Sequence, residues 1–277
     1  MGSGRHLQNV LIGATAVVFA GALFAPGNQR SGPILNAATS FVTGRPASAD
    51  SAVPASPDKS TMSMTALATE TRAALSAFAS VVRPLSHPQA LADAFRSYFA
   101  FKAAHPGDVK KPFLYFVDYG LPSTTPRGYV FDMSSLKIVD GPFTVAHGRG
   151  SSTTQYGLPT RFSNAFGSAA TSLGLYLAKA TYAFHGHSGG QGYNALGLRL
   201  MGVSAGFNDN AFARGVVAHG APYVTPTKAG RSEGCPAMEP SRAERLLPEL
   251  ADGGMVFLFA PDAKWMTSDP WVASGGN

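Results

Sequence analysis

The chain reads as a mainly β domain, an antiparallel sandwich or barrel with a few helices, preceded by a helical hairpin. Three observations lead to that class. After Pro112 the apolar residues come in short runs separated by Gly, Pro, Ser and Asp, the signature of strands and turns. Few helix-length segments lie between those runs, which disfavours a parallel βαβ sheet. Before Pro112 the apolar residues fall instead at helical spacing.

Residues 1–25 begin the chain with Arg5 and His6 but no acid, and Val10 to Ala25 carry no charge at all. The stretch reads as a secretory signal or an uncleaved membrane anchor with Arg5 on the cytoplasmic side. About 16 apolar residues is long for the one and slightly short for the other, and no small-x-small cleavage site follows directly. Residues 26–62, rich in Ser, Ala, Pro and Gly, lack the large apolar side chains needed to offset the entropy of folding and read as a linker.

Residues 63–110 are expected to be helical. Leu67, Leu75, Phe78 and Val82 define one stripe, ended by Arg83-Pro84 because the proline ring disfavours helical geometry at Arg83. Leu91, Phe95, Tyr98 and Phe99 define a second, which finishes near His105-Pro106-Gly107. Within 111–262, strands are expected at 113–118, 128–132, 137–139, 143–146, 174–178, 196–201, 215–218 and 255–260. One late helix is signalled by Ser241-Arg242-Ala243-Glu244, which has the pattern of a capping box, and by Gly253-Gly254 at its far end. Residues 263–277 read as a tail.

Composition limits function. The 277 residues are 45% hydrophobic and 14% charged, so the chain can fill a core and is not disordered throughout. A single Cys excludes an internal disulfide, CxxC redox chemistry and thiolate metal sites. The net charge of +6 favours acidic surroundings such as anionic lipid or a wall polymer. Export makes nucleic acid an improbable partner.

Cys235 lies in Gly230-Arg231-Ser232-Glu233-Gly234-Cys235-Pro236. A lone thiol outside the cytoplasm is exposed to oxidation, so it invites a functional reading against the bland one of a small buried hydrophobe. Gly234 would let backbone N–H groups approach a developing oxyanion, and Arg231 would favour thiolate. His219-Gly220 follows the apolar run 215–218 and would emerge at a strand end as the base a thiol needs. His147-Gly148 repeats that arrangement and is a rival base or a site-lining group. His185 and His187 are too few ligands for a metal, and no metal or cofactor is expected.

These residues carry a family resemblance. His219-Gly220 with Ser232-Glu233-Gly234-Cys235-Pro236 resembles the HG…SxGC signature of the YkuD-type L,D-transpeptidases, in particular the divergent murein L,D-transpeptidase catalytic domain family. Val145–Gly150, Phe162-Ser163-Asn164, Gly167-Ser168, Ser172–Tyr176, Gly206–Ala211 and Arg214 agree with it in order, across roughly residues 85–262. The segment 182–194 departs, being longer and richer in Gly and His.

The resemblance implies a YkuD-like fold and acyl transfer on peptidoglycan stem peptides, donor and acceptor, through a thioester on Cys235. His219 would move the proton, with the Gly220 carbonyl orienting its other nitrogen. Gly234, Gly220 and Ser232 would support the oxyanion. Arg231 and Arg214 would bind stem-peptide carboxylates, and His147, Ser163, Asn164 and Tyr223 would line the groove. The expected setting is the periplasm or cell envelope, with anchoring in the inner membrane by residues 10–25 as one form of attachment, and a monomer. An L,D-carboxypeptidase shares every catalytic residue. A wall-binding protein without activity would not need the thiol, and a metallopeptidase lacks ligands.

Overall fold

The computed structural model describes residues 62–273. The expected leader or anchor and almost all of the expected linker lie outside the described residues. Among the described residues, no helix is long and apolar enough to cross a membrane.

The chain runs α1 (Met64–Phe78), α2 (Ala90–Ala104), β1 (Phe113–Asp118), β2 (Gly128–Asp132), β3 (Lys137–Phe143), β4 (His147–Gly148), β5 (Gly174–Ser188) and β6 (Gln191–Gly202). It continues through β7 (Val217–Gly220), β8 (Val224–Thr225), β9 (Lys228–Ala229), β10 (Arg231–Ser232), β11 (Ala237–Met238), α3 (Pro240–Leu250), β12 (Met255–Phe259) and α4 (Ala263–Ser268).

Ser63 caps α1, its hydroxyl accepting from Ala66 N–H at 3.2 Å. Leu67, Thr71, Ala74 and Phe78 then turn one face inward. The helix stops at Phe78, before the Arg83-Pro84 signal. In α2, Leu91, Phe95, Tyr98 and Phe99 are all buried, as their spacing predicts. The two helices meet the sheet at Phe131 of β2, whose ring lies 4.6 Å from Phe78 and 5.4 Å from Phe95. Truncating such a fully buried Phe costs about 3–5 kcal/mol.

Eight strands form one sheet in the order β11-β7-β6-β5-β12-β1-β2-β3; β4 pairs with β10 and β8 with β9 in two small additions. The mainly β architecture is the expected one, but the large sheet is mixed. Most neighbours are antiparallel, whereas β1 lies parallel to β12 and β7 parallel to β11. Parallel neighbours require a long return of the chain, and here the return to β12 passes through α3, which packs across β6 and β7. The strand Met255–Phe259 is buried at every position, fitting a strand covered on both faces.

Two helix-end details differ from expectation. Glu239 occupies the N-cap of α3 and Pro240 its first turn, so Ser241 already lies inside the helix and no capping box forms. A proline at that position has its φ preset and no N–H to satisfy, which places the start there. At the other end Gly254 N–H donates to Leu250 O at 2.9 Å, so the glycine pair closes the helix as read. Residues 263–273, set apart as a tail, carry α4 with Trp265 buried, and Trp271 Nε1 donates to Val203 O at 2.8 Å.

The segment 182–194, longer and richer in Gly and His, is a regular hairpin. β5 and β6 pair continuously from Tyr182↔Gly197 to Ser188↔Gln191. Gly189 and Gly190 both have positive φ, +58° and +78°, as a two-residue hairpin turn demands.

Candidate active site

Sheet register brings the loop of Cys235 to the strand of His219. β11 runs parallel to β7 with Ala237 level with His219, and His219 N–H donates to Pro236 O at 3.3 Å. Cys235 therefore lies alongside β7, where its sulfur receives the backbone N–H of Val217. Val217 and His219 are two residues apart on one strand and so face the same side. The pairing thus brings the Cys235 loop to the strand that carries His219.

The loop carrying Cys235 is held from within. Ser232 Oγ donates to Cys235 O at 2.6 Å and accepts from Gly234 N–H at 3.2 Å. Gly234 has φ +125°, and a Cβ there would stand 3.0 Å from Ala170 O, so only glycine fits without strain. The Gly234 N–H expected to support an oxyanion is engaged by Ser232. Among the described residues the N–H of Cys235 enters no hydrogen bond and is the free donor of the pair.

His219 is 2% exposed. Its Nδ1 lies 2.9 Å from Gly220 O. A carbonyl only accepts, so Nδ1 carries the hydrogen and Nε2 keeps its lone pair. Burial lowers its pKa to about 4, opposed by that carbonyl. Burial also raises the Cys235 thiol to about 11, against the Val217 N–H and the Arg214 charge. The resting pair is therefore a neutral thiol and a neutral imidazole. The cation acting on Cys235 is Arg214, and not Arg231 as the sequence suggested; Arg231 Nη1 is turned to Ser152 O at 3.1 Å.

Cys235 is half-buried and opens on a cleft of about 300 Å³ lined also by Arg149, Phe166, Arg214, Val216 and Glu233. Arg214 spends its Nη groups on the cleft wall, donating to Ser163 O and Ala170 O at 2.9 Å and to the hydroxyls of Ser168 and Ser172. It is occupied as a brace. Arg149 Nε donates to both oxygens of Glu233, at 2.7 and 2.8 Å, and leaves its Nη groups on the open side. Neither Arg149 nor Glu233 has a role legible in its own motif; their proximity arises from the β4–β10 pairing, which levels Gly148 with Ser232.

The remaining sequence candidates fall elsewhere. His147 is wholly buried, with Nδ1 accepting from Arg127 Nη2 at 3.0 Å. Burial, then Arg127 and Arg231, lower its pKa to about 3. It is no rival base. Arg127, also fully buried, donates to Val145 O and Leu121 O and stacks 4.7 Å over Tyr119. Together they fasten β4 beneath the Cys235 loop. Ser163 and Asn164 line a separate cleft of about 290 Å³ with Phe207 and Trp265. The ring of Tyr223 lies 6.4 Å from that of Tyr193. Above His219, the ring of Phe184 stacks at 4.2 Å. His185 pairs with Asn194 at 2.6 Å, and no group of three potential metal ligands exists among the described residues.

Residues 84–259 match the L,D-transpeptidase catalytic domain family. No curated protein matches the chain. Among solved structures, an L,D-transpeptidase from Mycobacterium smegmatis is 15% identical over 54% of this chain and 59% of its own, with a TM-score of 0.33. An L,D-transpeptidase from Stackebrandtia nassauensis is 16% identical over 69% of this chain and 89% of its own, also at 0.33. The chain spans about three fifths of the length of the M. smegmatis structure. These structural likenesses are slight and carry no argument. The family match covers more than half of the chain: this protein belongs to the L,D-transpeptidase catalytic domain family.

Proposed function

We propose that the chain is an exported cysteine acyltransferase that cross-links peptidoglycan stem peptides. The observation that carries the reading is the register that brings the Cys235 loop alongside the strand of His219, whose Nδ1 is tied to Gly220 O and whose Nε2 is left to take a proton. Family membership supplies the substrate class.

Cys235 Sγ attacks the carbonyl of the L-configured donor residue while its proton passes to His219 Nε2. Electrons move to the carbonyl oxygen, to which the Cys235 N–H donates a hydrogen bond. Collapse breaks the amide to the following D-residue, and the His219 proton leaves with that amine. An acceptor amine then attacks the thioester, His219 takes its proton, and the thiol leaves with it. Because both groups begin neutral, the ion pair arises only as the reaction proceeds. Arg149, with Glu233 fixing its Nε edge, takes the carboxylate-binding role expected of Arg231 and Arg214. The protein acts as a monomer outside the cytoplasm, attached to the inner membrane where residues 10–25 are retained.

The test is mass spectrometry of the purified chain incubated with defined disaccharide-peptides, beside Cys235→Ala. A cross-linked dimer that requires Cys235 supports the proposal. Trimmed monomers alone would replace it by a carboxypeptidase, and full activity in Cys235→Ala would end it.

A further inference from the structure

The hairpin at 182–194 lays a row of aromatic rings on the face that carries His219. Pairing puts Tyr182 opposite Gly197 and Phe184 opposite Ala195, and Gly197 in turn opposite His219. Residues directly opposite share a face of the sheet. Phe184 and His219 therefore stand on the same side, but on strands that are second neighbours, about 10 Å apart. Their rings can meet only if β6 offers nothing tall between them.

It offers Ala195 and Gly197. A Cβ at Gly197 would stand 2.8 Å from Tyr182 Cε1 and 3.0 Å from Phe184 Cβ, so a side chain there would push both rings aside. Through this gap Phe184 reaches the imidazole at 4.2 Å and 25°, nearly parallel. The stack is not part of the main packing: Phe184 is half-buried and belongs to neither hydrophobic cluster of the domain. The hairpin braces the ring from behind, since Tyr193 lies 6.2 Å from Phe184 and rests on Gly186, whose Cβ would meet Tyr193 Cζ at 2.4 Å.

We infer that Phe184, laid over His219 through the gap at Gly197, is a positioning residue that fixes the imidazole plane so that Nε2 meets the thiol while Nδ1 holds Gly220 O. The backbone hydrogen bond constrains one ring atom. The stacked ring removes the remaining rotation about χ2. This rests on the proposed acyl-transfer reading for its catalytic consequence, but not for the orientation itself.

Three variants of the full chain test it: Phe184→Leu, which keeps apolar bulk without a ring; Phe184→Tyr, which keeps the ring; and Gly197→Val, which fills the gap. Thioester formation with a stem tetrapeptide is followed by intact mass, and the His219 ring protons by NMR with labelled histidine. Phe184→Leu and Gly197→Val are expected to lower the acylation rate constant tenfold or more with KM within about twofold, in line with the cost of small misplacements. Phe184→Tyr should stay within about twofold of the parent. In the two ring-displacing variants the His219 protons should move downfield, out of the shielding face of the ring. Equal acylation by Leu and Phe at position 184, or unmoved His219 signals, overturns the inference. If no stem peptide acylates the parent chain but the His219 signals move as described, the acyl-transfer reading falls and the orienting role stands.

Discussion

A thiol held at about 11 beside an imidazole at about 4 should behave unlike a preformed thiolate–imidazolium pair. The perturbation is pH, and the probe is iodoacetamide, which reacts with thiolate. At pH 7 a thiol of pKa about 11 is ionised to about one part in 10⁴, against about 3% for an ordinary thiol near 8.5, a deficit of about 300-fold. The more basic thiolate recovers about one decade of intrinsic nucleophilicity. Cys235 should therefore be alkylated about 20- to 30-fold more slowly than a free cysteine at pH 7. Intact-mass kinetics from pH 5 to 10 should show the logarithm of the rate constant rising with unit slope throughout. A pH-independent plateau below pH 7 would refute the neutral pair. Acyl transfer itself needs neutral His219, and a lowered imidazole pKa keeps that form as acid is added. Turnover should hold down to about pH 5 and halve near pH 4, where an unperturbed histidine would already be lost near 6.5.

Other consequences follow from the same geometry. Arg149→Ala should raise KM about 10- to 100-fold for stem peptides ending in a free carboxylate, the range of a lost charge-assisted pair, and leave amidated peptides unaffected; equal loss on both would remove Arg149 from recognition. Gly234→Ala should cost about 1–3 kcal/mol of stability, because φ +125° strains any side chain and Ala170 O leaves it no room, as chemical denaturation would register. Buried neutral His147 and His219 have folded pKa values below the unfolded 6.5, so the unfolded state binds more protons in acid. Stability is then fully present above about pH 6.5 and falls by about 1.4 kcal/mol per pH unit for each histidine, levelling for His219 near pH 4 and for His147 near pH 3. Urea midpoints that stay flat from pH 6.5 to 4.5 would contradict their neutrality.

Much of this protein was legible in its residues where the cause is local. Phe113–Asp118 and Gly128–Asp132 form strands at the bounds their apolar runs mark, and Met255–Phe259 stops one residue short of its run. The stripe of α2 buries the side chains that helical spacing selects, and that of α1 buries Leu67 and Phe78 while Leu75 is half-buried and Val82 lies past the helix end. Cys235 and His219 stood out because a lone thiol after Gly and a histidine ending an apolar run are chemically unusual wherever they sit.

What the tertiary structure decided concerns residues far apart in the chain. The parallel pair β1–β12 depends on how α3 returns the chain, and β7–β11 on the loop through β8, β9 and β10, and no short window records those paths. Burial, a property of the whole packing, made His147 a fastening and not a base, committed Arg214 to carbonyls, and reversed the expected thiolate. The hairpin at 182–194 was not among the expected strands because Gly and His dilute its alternation. Its pairing puts Gly197 opposite Tyr182, and that lack of a side chain lets Phe184 reach His219.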